Sequence, residues 1–198
     1  MGVAIAAAAL KAKHKVILIH GPISDAVLAK LPKTDALARV AVRSAGDMHK
    51  AVMKHIRNAD VVIMNAAVAD FTPVATMGVK MKKATQSLSL KLRPTVDILK
   101  SLGEAKAKGA DFVLIGFALE TGSGSTAARR LAAQLKEARR KLRDKNLDAI
   151  VLDSPHAMGA DSSDFILLDR SGREQRLSNT TKKDLARQLV SHSIQIRT

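Results

Sequence analysis

The sequence has no cysteine, no tryptophan and no tyrosine. The missing cysteine excludes a disulfide framework, thiolate metal sites and a cysteine nucleophile. Four phenylalanines are the only aromatic residues, too few for the stacking platforms of single-stranded nucleic-acid binders. Acidic residues are scarce as well: 18 Asp+Glu stand against 33 Lys+Arg, a formal net charge of +15. That balance calls for an anionic partner, whether nucleic acid, an anionic membrane face or a small polyanionic substrate. The basic residues are spread along the chain and densest between Arg129 and Lys145, so they form no basic tail, and without aromatic interleaving nucleic acid is the weaker choice.

The apolar run Gly2 to Leu10 is far shorter than a membrane span. No basic residue precedes it, and position 6 is Ala where a myristoylation signal needs Ser or Thr. The expectation is a cytoplasmic protein without membrane association. At 198 residues and 46% hydrophobic, the chain can fill one α/β domain with a real core.

Short apolar runs alternate with amphipathic stretches. Val16 to Ile19 reads as a strand ended by Gly21-Pro22. Ser44-Ala45-Gly46-Asp47 has capping-box spacing and opens a helix through Met48, Val52 and Ile56. Val61 to Met64 forms a second strand, and Phe112 to Ile115 a third, stopped by Gly116. A long basic helix of about Thr126 to Asp144 leads to a fourth strand at Ile150 to Leu152. Ile166 to Leu168 with the turn Arg170-Ser171-Gly172 predicts a late β-hairpin, and Lys182 to about Ser193 a closing helix. Apolar strands each followed by a helix predict an α/β fold with a doubly wound, mostly parallel, Rossmann-like sheet. The Ala-rich stretch Gly2 to Lys13 reads as a helix entered without the strand and glycine-rich phosphate loop that usually precede it.

Ligands of open α/β sheets bind outside the carboxyl ends of the strands. Three such ends are legible: His20-Gly21-Pro22, Ala66 to Asp70, and Gly116 to Thr121. Asp70 can accept ribose hydroxyls or serve as a loop or cap carboxylate; position alone leaves both open. The small residues permit a ring or phosphate near the backbone, but close strand-to-helix packing also selects them. Phe71 to Gln86, carrying Lys80-Met81-Lys82-Lys83, has no apolar period and reads as a long loop. It is either a flap closing over phosphates or a solvated basic loop. Lys141 and Lys145 are spaced to share a helix face. His20 lines a pocket or caps a polar rim. The six histidines show no HExxH spacing, and no G-x-S-x-G, Walker A or complete dinucleotide fingerprint is present.

Taken in order, MGVAIAAAAL, LIHGPIS, NAAVADF, KMKK, PTVDIL, GFALET, KNLDAIV and SSDFILLDRSG resemble phosphopantothenoylcysteine synthetase. In many bacteria that ligase of coenzyme A biosynthesis is fused to a flavin-dependent decarboxylase. Any one motif is weak. AAVADF, with a KxKK cluster beginning ten residues after its Asp and then PTVDIL and GFALET, is specific. The resemblance covers Met1 to about Val190 and implies a single synthetase-type nucleotide-binding domain over 1–198, with 71–86 as a flexible lysine-bearing active-site flap.

The resemblance implies two half-reactions. The carboxylate of 4′-phosphopantothenate attacks the α-phosphate of CTP, giving an acyl-cytidylate and pyrophosphate. L-cysteine then displaces CMP through its amine. Mg²⁺ would bridge phosphates, and both larger substrates are polyanions, matching the charge balance. By position, Ala66, Ala67 and Asp70 should border the nucleotide, and Lys80 should act as the catalytic cation on the α-phosphate, with Lys82 and Lys83 on the same flap. Asp97 matches a functional aspartate. Gly116, Phe117 and Ala118 should lie against the cytosine, and Lys141 and Lys145 should hold the triphosphate. The family is dimeric, so a homodimer is expected, as is association with a phosphopantothenoylcysteine decarboxylase.

The resemblance also implies an N-x-S-S-G-K segment and a first strand ahead of Met1, whose Asn serves conversion of the acyl-cytidylate. Asn65, Asn146 and Asn179 belong to other motifs, and Asp153 stands where relatives carry Asn. The expectation is that these 198 residues alone make a poor synthetase, either through a late gene start or as a diverged paralogue. The rival reading is a non-catalytic module of the same fold that binds nucleotide or RNA.

Overall fold

The structure is a computed structural model that describes residues 1–75, 89–119, 125–153 and 162–197. It opens on α1 (Gly2–Lys11), a helix made mostly of alanine, which has the highest helix propensity of any residue. Strand β1 (Val16–His20) follows, then the short α2 (Asp25–Leu28) and β2 (Leu37–Ala41), and β1 pairs with β2 in parallel. The capping box predicted at Ser44 is formed: its hydroxyl accepts from Asp47 N–H at 3.1 Å and the Asp47 carboxylate accepts from Ser44 N–H. It starts α3 (Ala45–His55), which ends in a single 3₁₀ turn, Ile56–Asn58.

The remaining strands build the main sheet. These are β3 (Val61–Met64), β6 (Val113–Leu119), β7 (Ala149–Asp153), β8 (Ser162–Asp169) and β9 (Glu174–Thr181), side by side in that order. The first two pairings are parallel and the last two antiparallel, and β8 with β9 forms the late hairpin around Ser171-Gly172. Between β3 and β6 the chain makes a two-stranded antiparallel ribbon, β4 (Phe71–Pro73) with β5 (Leu92–Pro94), and then α4 (Ile98–Ala107). Helix α5 (Ala127–Asp144) joins β6 to β7, and α6 (Lys182–Arg197) closes the described chain. No helix among the described residues is long and apolar enough to cross a membrane.

The mixed α/β architecture with parallel central strands is as expected, but four local readings are corrected. Gly116 does not stop the third strand. β6 runs three residues further because pairing with β7 continues to Leu119↔Asp153. Phe71 does not open a loop: its first three residues pair with 92–94, a partner too distant in sequence for local periodicity to reveal. α1 ends at Lys11 rather than Lys13, with Lys13 in the left-handed region at φ 69°. α6 runs beyond Ser193 to Arg197. In addition, among the described residues β1–β2 and the main sheet are separate, with β1 and β3 each paired on one edge.

Two apolar layers sandwich the main sheet. On one face α3, α4 and α5 bring Val52, Leu102, Ala138 and Leu142 onto Leu114, Ile150 and Leu168. On the other, α1 and α6 bring Ile5, Leu185 and Leu189 onto Ile115, Val151 and Phe165. Each fully buried leucine or isoleucine contributes about 1.5–3 kcal/mol, so the sandwich fixes where the strand ends lie. At the amino edge the Asp148 carboxylate pairs with Lys106 and accepts the Leu114 N–H at 2.6 Å, pinning α4 to the starts of β6 and β7.

Candidate functional site at the strand ends

The carboxyl edge of the main sheet carries the predicted segments. β3 stops at Met64, paired with Gly116. The chain then turns out through Asn65, Ala66 and Ala67 to Asp70, and Ala66, Ala67 and Asp70 are exposed. β6 outruns β3, so beyond Gly116 the edge of β6 facing β3 has no strand partner among the described residues. Side chains alternate in a strand, which separates the three β6 candidates. Ala118 lies in the α3–α5 layer and Phe117 packs against the α1–α6 layer. A Cβ on Gly116 would lie 2.9 Å from Leu99 Cδ2 and 3.0 Å from Leu147 Cδ1. The smallness of Gly116 thus makes room for Leu99 and Leu147, the packing alternative left open above. What this strand end offers a ligand is its main chain.

The ribbon folds the AAVAD and PTVDIL segments together. Thr95 N–H donates to the Asp70 carbonyl at 2.8 Å, beside the Phe71↔Pro94 pair. Two residues on, Asp97 is the N-cap of α4, accepting from Lys100 N–H at 2.9 Å. Its other oxygen, Oδ2, lies 2.7 Å from Lys145 Nζ. Burial pushes the Asp97 carboxyl upward, but the bonds from Lys145 and the Lys100 N–H, with both lysine charges, outweigh it and hold the pKa below its ordinary value. Lys145 is the C-cap of α5, and its main chain presses on α4 where Gly103 leaves room: a Cβ there would sit 1.9 Å from Lys145 O. Asp97 and Lys145, chosen separately from sequence, are therefore one ion pair. Lys141 lies one helical turn before Lys145 on α5.

Other predicted residues fall elsewhere or outside. His20 Nδ1 bonds the Gly21 carbonyl at 2.8 Å, so it is a satisfied rim residue. Lys80, Lys82 and Lys83 lie outside the described residues. Among the described residues no group of three His, Asp or Glu could hold a metal ion. Thr95 was missed by sequence reasoning: besides its bond to Asp70, its Oγ1 is buried with no hydrogen-bond partner among the described residues. Its place between Pro94 and Asp97 was visible; its tie to Asp70 was not.

Residues 1–196 match the family described as the DNA/pantothenate metabolism flavoprotein C-terminal domain. The chain belongs to that family. Similar curated proteins include the coenzyme A biosynthesis bifunctional protein CoaBC of Bacillus subtilis strain 168. It is 38% identical over 195 residues, covering 96% of this chain and 43% of that protein. Another is a cysteine/cysteine sulfinic acid decarboxylase from an unknown prokaryotic organism, 34% identical over 96% of this chain and 49% of that protein. The chain spans less than half the length of both relatives. Among solved structures, the C-terminal domain of CoaBC superposes with a TM-score of 0.73 at 34% identity, over 99% of this chain and 80% of that one. The resemblance to phosphopantothenoylcysteine synthetase, the synthetase half of the bifunctional protein, is thereby confirmed for the family and the fold. A Streptococcus pneumoniae DNA/pantothenate metabolism flavoprotein, with a TM-score of 0.78 at 20% identity, shares the fold.

Proposed function

We propose that this domain is a CTP-dependent phosphopantothenate–cysteine ligase. The observation that carries the reading is the gathering of AAVAD and PTVDIL by the Thr95–Asp70 bond, in the connection that leaves the carboxyl end of β3. Family membership supplies the chemistry. A carboxylate oxygen of 4′-phosphopantothenate attacks the α-phosphorus of CTP as the bond to the bridging oxygen breaks, and pyrophosphate leaves. The cysteine amine then attacks the acyl carbon, loses a proton, and CMP departs.

On this reading Ala66, Ala67 and the β6 ledge seat the base, Asp70 accepts ribose hydroxyls, and Lys80 faces the α-phosphate. Lys141 and Lys145 meet the outer phosphates, so a nucleotide must compete with Asp97 for Lys145. Mg²⁺, which neutralises and bridges phosphates, would be held mainly by the triphosphate with at most a carboxylate such as Asp70, consistent with the sparse acidic groups.

Association of two copies is supported by the ribbon and its flanks, where Phe71, Val74, Leu90, Leu92 and Val96 are at least half exposed. Pairing with a decarboxylase fits the bifunctional relatives.

The test is pyrophosphate release on mixing the protein with CTP and 4′-phosphopantothenate, followed by CMP release on adding L-cysteine, both slow in these 198 residues taken alone. Both are expected to require CTP. Saturable stabilisation by CTP without pyrophosphate release would leave a nucleotide-binding module. Binding of RNA that weakens steeply with salt, with no response to CTP, would overturn the reading.

A further inference from the structure

Helices α1, α4 and α5 end in the same hydrogen-bonded cap. After α4, Gly109 N–H donates to the Lys106 carbonyl and Ala110 N–H to that of Ala105, with Gly109 left-handed at φ 96°. After α5, Asn146 at φ 51° donates to Arg143 and Leu147 donates to Leu142. After α1, Lys13 at φ 69° donates to Leu10 and His14 donates to Ala9. The left-handed position of this cap favours glycine and then asparagine, and an apolar residue commonly follows it and packs back on the helix. Ala110 and Leu147 follow that rule and lie in the α3–α5 core layer. α1 departs from it twice. Lys13 carries a Cβ into the left-handed region, where it is penalised, and His14 is polar and exposed.

The helix dipole does not account for the departure. α4 has Lys106 in its last turn, α5 has Lys141 and Arg143, and α1 has Lys11. Cations therefore serve all three carboxyl ends without occupying the left-handed position. What the two unusual residues share is a place. With Lys11 they line a cavity of about 400 Å³ between the end of α1 and the turn before β2. Leu10 and Pro32 give it an apolar wall, and Thr34 adds a hydroxyl. Thr34 Oγ1 accepts the Ala36 N–H at 3.3 Å, which leaves its own proton to donate. The cap bonds the carbonyls of Ala8, Ala9 and Leu10, so the negative end of α1 is covered. Exposed Lys15, Lys30 and Lys33 flank the cavity in sequence, against the single carboxylate of Asp35.

We infer that this cavity is an anion site for a small organic phosphate, a dianionic ester with an apolar body. Lys11 and Lys13 neutralise the phosphate, Thr34 and the His14 ring donate to its oxygens, and Leu10 and Pro32 seat the apolar part. The volume lies in the range of small-molecule sites. A Cβ on Gly2 would lie 3.1 Å from Asn65 Oδ1, so α1 starts beside the carboxyl end of β3. Its ten residues carry the chain about 15 Å from there. The cavity is thus separate from the strand ends, and the inference does not depend on the ligase reading.

The test titrates the 198-residue protein with phenyl phosphate and follows its amide NMR shifts. Saturable shifts are expected at Leu10, Lys11, Lys13 and Thr34, with phenol binding at least about tenfold more weakly for want of the charge. Lys13→Gly, which suits the left-handed position, should raise the urea midpoint while weakening phenyl phosphate at least about tenfold. Lys13→Arg keeps the cation and should bind within about threefold of the parent. A lower urea midpoint for Lys13→Gly would make Lys13 a structural residue and overturn the inference. Unchanged binding in that variant, equal binding of phenol, or shifts confined to residues 66–70 and 116–119 would each do the same.

Discussion

Lys145 Nζ sits 2.7 Å from Asp97 Oδ2, joining the C-cap of α5 to the N-cap of α4 across the Gly103 crossing. The same carboxylate caps α4 through its second oxygen, so cap and ion pair are separable by mutation. Asp97→Ala removes both and should lower stability by about 1 kcal/mol, the typical worth of an N-cap. Asp97→Asn keeps the cap and should lose only the modest worth of a partly exposed pair. Urea unfolding of the two variants distinguishes these contributions. Equal losses would mean the cap is not carrying the effect.

Gly103→Ala drives a Cβ into the Lys145 carbonyl, a backbone atom that cannot swing aside. The expected loss is about 3 kcal/mol, at the upper end for overpacking. Gly46→Ala is the control: in the first turn of α3 its new Cβ meets nothing nearer than 3.8 Å, so stability should hold or rise by about 0.5 kcal/mol. Thermal melts of the two variants should move in opposite directions or differ sharply in size.

Lys80→Ala should slow pyrophosphate release at least about a hundredfold while shifting CTP affinity much less, as for a cation aimed at charge that develops in the transition state. Single-turnover kinetics beside equilibrium titration measures the split. A matching fall in both would make Lys80 a binding residue.

Acid titration should expose His192. Burial lowers its pKa below 6.5, with Arg173 adding to the effect and Asp169 opposing it, and its Nε2 is buried without a hydrogen-bond partner among the described residues. The folded state therefore binds this proton less readily than the unfolded one. Its contribution is complete above about pH 6.5 and is lost as pH falls from there toward the folded pKa. His192→Gln should flatten the stability profile in that window while leaving the steeper loss below about pH 4, where Asp47, Asp97 and Asp184, held below the ordinary carboxylate value, take up protons.

What the sequence made legible was local. The Ser44-Asp47 box, the apolar runs at Val16, Val61 and Ile150, and the hairpin at Ser171-Gly172 announce themselves within a few residues, and each formed. Phe71–Pro73 was opaque because its partner begins at Leu92, and an exposed ribbon needs no apolar period. Leu37–Ala41 carries Arg39 and an open face, so its pattern is too polar to stand out. At the candidate site, motif order nominated Asp70, Asp97 and Lys145 one by one, and the pairing of Asp97 with Lys145 came only from the fold. Only three-dimensional packing showed that Gly116 makes room for Leu99 and Leu147.

β6 continues past the end of its neighbour β3, and so leaves a short shelf of peptide groups at the mouth of the sheet. A nucleobase read from that shelf meets amides and carbonyls that every residue possesses. On the proposed ligase reading, substitutions at Phe117 and Leu119 would leave the choice of base unchanged, and a specificity switch would come from moving the shelf itself.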